Sequence, residues 1–118
     1  MRLAKKQMRG KGHFSLILKT LNSTSMLYNV KTTGKFDHDI KLAKKRGLDE
    51  NELFAVVKKL AEGETLPRKN HDHALKGDFK GKRECHINPD WLLIYKKEVT
   101  IQLITLVRTG THADLYGK

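Results

Sequence analysis

The chain contains a single cysteine, Cys85, which excludes an internal disulfide framework and a thiolate zinc ribbon and suits a reducing compartment. Long apolar runs are also missing. The longest, residues 14–18 and 91–95, fall far short of the roughly 20 residues of a membrane span, and the first is too short for the core of a secretory signal. Acidic side chains are absent from residues 1–25. No internal repeat or low-complexity tract occurs. With 118 residues there is room for one core, which excludes a multidomain enzyme, a solenoid and a large cofactor cradle.

What is abundant is positive charge. Twenty-four Lys+Arg against 13 Asp+Glu give a formal net charge of +11, in a chain of globular composition with 38% hydrophobic and 31% charged residues. Such an excess points to a polyanion, nucleic acid first. Six of the basic residues (Arg2, Lys5, Lys6, Arg9, Lys11 and Lys19) lie in residues 1–25, with 18 basic and 13 acidic residues in 26–118. The expected organisation is a basic N-terminal arm or extension over 1–25, solvated or docking on nucleic acid, and a self-sufficient domain over 26–118. A chain begun at Met26 is expected to keep its activity.

Periodicity supplies the elements. Residues 27–32 alternate as a short strand. Phe36, Ile40 and Ala43 recur at helical spacing up to the natural stop at Gly47. Asp49 and Glu52 have the spacing of a capping box, and Leu53, Val56, Val57 and Leu60 form the apolar stripe of a second helix. The two helices are expected to form a hairpin. Residues 63–81, rich in Gly, Lys, His and Asp, read as a long functional loop. Strands are expected at 82–87, 91–96 and 100–107, and their short connections favour antiparallel pairing. The fold class is α+β: an N-terminal strand and a two-helix hairpin packed on a small antiparallel sheet. Trp91 and Cys85 are expected in the packing of that sheet.

Four histidines, His71, His73, His86 and His112, fall in the loop-and-strand half. Histidine titrates near neutrality, so a group of them in a basic domain suggests proton transfer. Asp90 follows His86 across a turn and is expected to orient its imidazole. Arg108 offers a fixed fork of donors for a phosphate, and Gly110 permits a bend that returns His112 toward it. Histidines with an arginine suit RNA cleavage, where the 2′-OH is a nucleophile already in place; DNA lacks it. Two other classes stay open. A metal-dependent hydrolase could use His71 and His73 with His86, His112 or Asp90, although no compact motif such as H-E-x-x-H occurs. A noncatalytic protein could bind nucleic acid or a protein target instead.

The stretches Asp72-His73-Ala74-Leu75-Lys76-Gly77, Lys80-Gly81-Lys82-Arg83-Glu84-Cys85-His86-Ile87-Asn88-Pro89-Asp90-Trp91 and Arg108-Thr109-Gly110-Thr111-His112-Ala113-Asp114-Leu115-Tyr116-Gly117 together resemble the YafQ branch of the RelE/ParE toxin superfamily. The resemblance covers about residues 26–118. It implies a RelE-like fold and the toxin of a bacterial type II toxin–antitoxin pair, a cytoplasmic, metal-independent mRNA interferase cutting translated messages in the ribosomal A site. It also implies a cognate antitoxin as partner, contact with operator DNA only through the antitoxin complex, and no cofactor. For a noncatalytic relative, of the ParE branch, the protein target would be DNA gyrase. The family's catalytic positions fall on His73, His86, Asp90, Arg108, His112 and Tyr116. Lys76, Lys80, Lys82 and Arg83 are placed to contact RNA backbone. His71 is an additional histidine, expected to be a solvent-exposed bystander.

Overall fold

A computed structural model describes residues 13–117. Helix α1 (His13–Asn22) precedes strand β1 (Asn29–Thr32), helices α2 (Gly34–Lys45) and α3 (Glu50–Ala61) and a two-residue strand β2 (His73–Ala74). Strands β3 (Arg83–Asn88), β4 (Trp91–Glu98) and β5 (Leu103–Gly110) follow, then a five-residue helix α4 (His112–Tyr116). Side-chain caps start both long helices after β1. The Thr33 hydroxyl accepts the Phe36 N–H at 3.0 Å, and the Asp49 carboxylate accepts the Asn51 N–H at 2.9 Å. The reciprocal contact expected of Glu52 is not made. Its carboxylate accepts from Asn88 Nδ2 at 3.2 Å, across at the β3–β4 turn.

The sheet order is β1-β5-β4-β3-β2. Strands β3, β4 and β5 pair antiparallel, as expected, and β2 adds to β3 in the same sense, but β1 runs parallel to β5, so the sheet is mixed. The physical reason is chain length: helices and three strands intervene between β1 and β5, and a parallel partner needs such a long connection. β5 begins three residues later than expected and carries Arg108 and Gly110 within the strand. The reversal before it closes through Gln102 at φ 51°. The 63–81 segment also holds an element the sequence pattern did not reveal, β2, which pairs with Arg83 and Glu84.

The two helices expected as a hairpin are consecutive, but their main packing partners are different elements. α2 lies along β5, while α3 packs against α1 and β3. Where β1 ends, α2 and its cap continue the edge of β5: Thr33 donates to the Val107 and Leu106 carbonyls, and Asp39 accepts the Thr109 N–H. The main core between helices and sheet holds Phe36, Leu53, Val57, Trp91, Leu93 and Leu106, with Cys85 buried beside them. Burial pushes the Cys85 thiol up, as befits the inert hydrophobe expected there. A smaller cluster of Leu92, Ile94 and Leu115 covers part of the opposite face.

Part of the expected arm belongs to this core. Phe14, Leu18 and Leu21 of α1 are all buried in it. The Asn22 amide accepts the Val30 N–H at 2.8 Å and donates to the Val30 carbonyl at 2.7 Å, closing the free edge of β1. Charge alone suggested a solvated segment; the i, i+4, i+7 spacing of three apolar side chains buries it. Residues 1–12 of the expected arm lie outside the described residues. No helix among the described residues is long and apolar enough to cross a membrane.

Candidate active site

Strand register gathers the candidate residues. His73 stands opposite Glu84, Glu84 opposite Ile94, and Ile94 opposite Arg108; one row on, His86 stands opposite Leu92 and Leu92 opposite Gly110. Cross-strand partners share a face. Leu92 and Ile94 belong to the smaller cluster, so the candidates occupy the face of the sheet turned away from the main core.

Glu84 is the centre of this arrangement. The residue is only 4% exposed, and its carboxylate lies 3.4 Å from His73 Nε2 and accepts a hydrogen bond from the Tyr116 hydroxyl. Burial, followed by this bond to Glu84, raises the Tyr116 phenol well above its ordinary pKa and keeps it a donor. His73 Nδ1 lies 2.7 Å from the His71 carbonyl. A carbonyl only accepts, so Nδ1 is the donor in that contact, and Nε2 is the ring nitrogen that faces Glu84. The carboxylate set against a histidine is thus that of Glu84, at His73, whereas Asp90 was expected to orient His86. Asp90 is exposed at the β3–β4 turn, where its N–H donates to Asn88 Oδ1 at 3.1 Å, and among the described residues no histidine holds its carboxylate.

Aromatic contacts extend the cluster. Ring centroids of His71 and His86 are 5.1 Å apart, those of His86 and His112 6.2 Å, and those of His112 and Tyr116 5.9 Å, with Phe79 edge-on to Tyr116 at 6.0 Å. Burial, then the neighbouring His71, lowers the pKa of His86 below its ordinary value; Glu84 opposes this, and His112 and His73 add to it. The shift favours the neutral imidazole, the form that accepts a proton. His71, read from sequence as a bystander, is exposed as expected but touches both His73 and His86.

His112 is positioned by the bend before it. Thr111 and Asp114 form a reciprocal capping box, and Arg46 grips Asp114 through two bonds of 2.6 and 3.2 Å. The Arg46 guanidinium, with the Thr111 N–H, holds the Asp114 carboxyl at about 2. Gly110 is required here, since a Cβ on it would meet Asp114 atoms at 2.8–2.9 Å.

Arg108 is less free than its sequence position suggested. Its Nε and Nη2 donate to Asp39 at 2.6 and 3.0 Å, leaving the Nη1 edge of the fork for a ligand. Hydrogen bonding to Asp39 raises its pKa, so the charge is permanent. Of the four basic residues expected on RNA, Lys76 and Lys80 are exposed and Lys82 is half-buried, whereas Arg83 is engaged with Asp72 at 3.2 Å. Among the described residues no three of His, Cys, Asp and Glu stand together as a metal-ligand set.

Residues 28–117, which carry every group just described, match the family of the bacterial toxin of type II toxin–antitoxin systems, YafQ. The chain belongs to the YafQ toxin family. It is 42% identical over 90 residues to the mRNA interferase toxin YafQ of Escherichia coli K12, covering 75% of this chain and 96% of that protein. The toxin in the crystal structure of the E. coli DinJ–YafQ toxin–antitoxin complex superposes with a TM-score of 0.70 at 40% identity, covering 78% of this chain and all of that one. A metal-bound toxin from Helicobacter pylori gives a TM-score of 0.69 at 42% identity over 74% of this chain and 97% of its own. The matched YafQ segment begins after α1, so the helix that completes this core lies outside it.

Proposed function

We propose that this YafQ-family toxin is an mRNA interferase that cuts translated messages in the ribosomal A site and is neutralised by a cognate antitoxin protein, through which alone it reaches operator DNA. The observation that carries this reading is the cluster in which His73 and Tyr116 meet the buried Glu84 carboxylate and His112 and His86 continue from Tyr116 through ring contacts, on the same sheet face as Arg108.

His86, shifted toward its neutral form, takes the proton of the 2′-OH. The 2′-oxygen attacks the adjacent phosphorus, the bond to the 5′-oxygen breaks, and His112 or His73 protonates the leaving oxygen. Nη1 of Arg108 balances the charge that develops on the phosphoryl oxygens. Asp90, at the rim, orients the strand bearing the scissile phosphate together with Lys76, Lys80 and Lys82. The acid–base groups of this chain suffice for the reaction without a metal. A positioned acid or base contributes roughly 10² to 10⁴ in rate.

Induction of the full chain should arrest growth, and mapping of message 5′ ends should show new, translation-dependent cuts. His112→Ala should lower cleavage by about 100-fold or more. Full cleavage by that variant, or cuts that persist when translation is blocked, contradicts this reading.

A further inference from the structure

Beyond His86 lies a pocket that the proton-transfer chemistry leaves unused. We infer that this pocket, between His71, His86, Asn88 and Glu52, is a subsite for one unstacked RNA base, with guanine its preferred occupant; the inference rests on the reading of this chain as an RNA-cleaving enzyme. The pocket has a volume of about 560 Å³, room for a single nucleotide.

Three separate elements build it: the turn at Arg68–Asn70 with His71, the end of β3, and the first turn of α3. His71 holds φ 47°, a left-handed conformation uncommon for a residue with a Cβ, and such strain concentrates at working sites. The result is a ring tilted 55° against His86. Buried Asn70 fixes this turn to β3 by donating to the His86 carbonyl at 2.7 Å. Paired imidazoles beside a reacting centre make a stacking wall for an unpaired base.

Glu52 indicates what enters. It is the one carboxylate lining the pocket among the described residues, in a chain of net charge +11. Phosphates are anionic acceptors and are repelled by it, while the donors of RNA are its base edges and hydroxyls. The Glu52 side chain is held in place by Asn88 Nδ2 at 3.2 Å and still has acceptor positions on both oxygens. Guanine presents two adjacent donors, N1–H and the 2-amino group, which match a carboxylate's two oxygens. Lys69 at the rim is placed for the nucleotide's phosphate.

The test is an NMR titration of the full-length protein with guanosine, adenosine, cytidine and uridine 5′-monophosphates. Guanosine monophosphate should shift the His71 and His86 ring signals and the Asn88 amide, and bind at least fivefold more tightly than the other three. Glu52→Gln should bring its affinity to within twofold of adenosine monophosphate, and Asn88→Ala, which frees the carboxylate, should weaken it at least threefold. Equal affinity for the four nucleotides, guanosine shifts that spare these residues, or unchanged selectivity in Glu52→Gln overturns the inference. The titration reads binding and the mapping of message ends reads cleavage. A protein that cuts messages yet binds the four nucleotides alike therefore loses the subsite and keeps the enzymatic reading.

Discussion

The two faces of the sheet are stabilised in different ways. The helix-covered face is mainly apolar, with Phe36, Leu53, Trp91, Leu93 and Leu106 fully buried. The other face has a small apolar cluster, and polar anchors hold its remaining groups. Asp39 holds Arg108, Glu84 joins His73 to Tyr116, Asp114 with Arg46 holds the bend before His112, and Asn70 ties the loop of His71 to β3. The few acids of a basic chain are spent largely on orienting its cations and imidazoles. One face thus supplies stability and the other geometry, and variants should separate the two.

The largest stability effect should come from the covered face. Starting the chain at Met26 removes Phe14, Leu18 and Leu21 from the core, and each such side chain is worth about 1.5–3 kcal/mol of burial. Leu18→Ala alone should cost about 2–5 kcal/mol, read as a lower urea midpoint with an unchanged slope. Next comes the hinge between the faces. Asp39→Ala leaves Arg108 and the Thr109 N–H without their carboxylate and should cost about 3 kcal/mol, besides weakening cleavage. If that variant keeps wild-type stability, the pair is ornamental.

Acid should act on the open face at the Asp114 bend. Asp114 is depressed to about 2, so its stabilisation is present above its unfolded value near 3.8 and is lost as pH falls from there toward 2. Asp114→Asn should flatten the stability–pH curve in that window, measured by thermal melts from pH 5 to pH 2. The smallest effect belongs to the rim. Lys76→Ala with Lys80→Ala should leave the melting point unchanged and reduce the salt dependence of RNA binding by about one to two phosphate contacts.

Local pattern made α2, α3, β3 and β4 legible, since period and caps act within a few residues. The antiparallel pairing of β3 with β4 and of β4 with β5 was legible from their short connections, but the parallel β1–β5 ladder and the two-residue β2 were not, because they are decided by chain segments far apart in sequence. α1 was hidden by its charge, although Phe14, Leu18 and Leu21 already had helical spacing. At the site, His73, His86 and His112 were legible as a group from the residues, and Tyr116 only through the family resemblance. Glu84 and Asp39 were missed because a lone acid in a strand or helix has no motif of its own. The one available signal was Glu84-x-His86, which places a carboxylate and an imidazole on the same face of a strand. Asp90 was expected at His86 because it is the acid that follows it across a turn, and sequence proximity across a turn does not fix direction.

The claim that the open face is organised by polar anchors is tested most directly at Glu84. The measurement is message cleavage by Glu84→Gln in translating extracts, with its urea midpoint measured alongside. Loss of the carboxylate charge beside His73, with the Tyr116 hydrogen bond still possible, should lower cleavage at least tenfold while stability changes by no more than about 1–2 kcal/mol. Cleavage at the wild-type rate would contradict the account, and so would a loss of cleavage that merely follows unfolding.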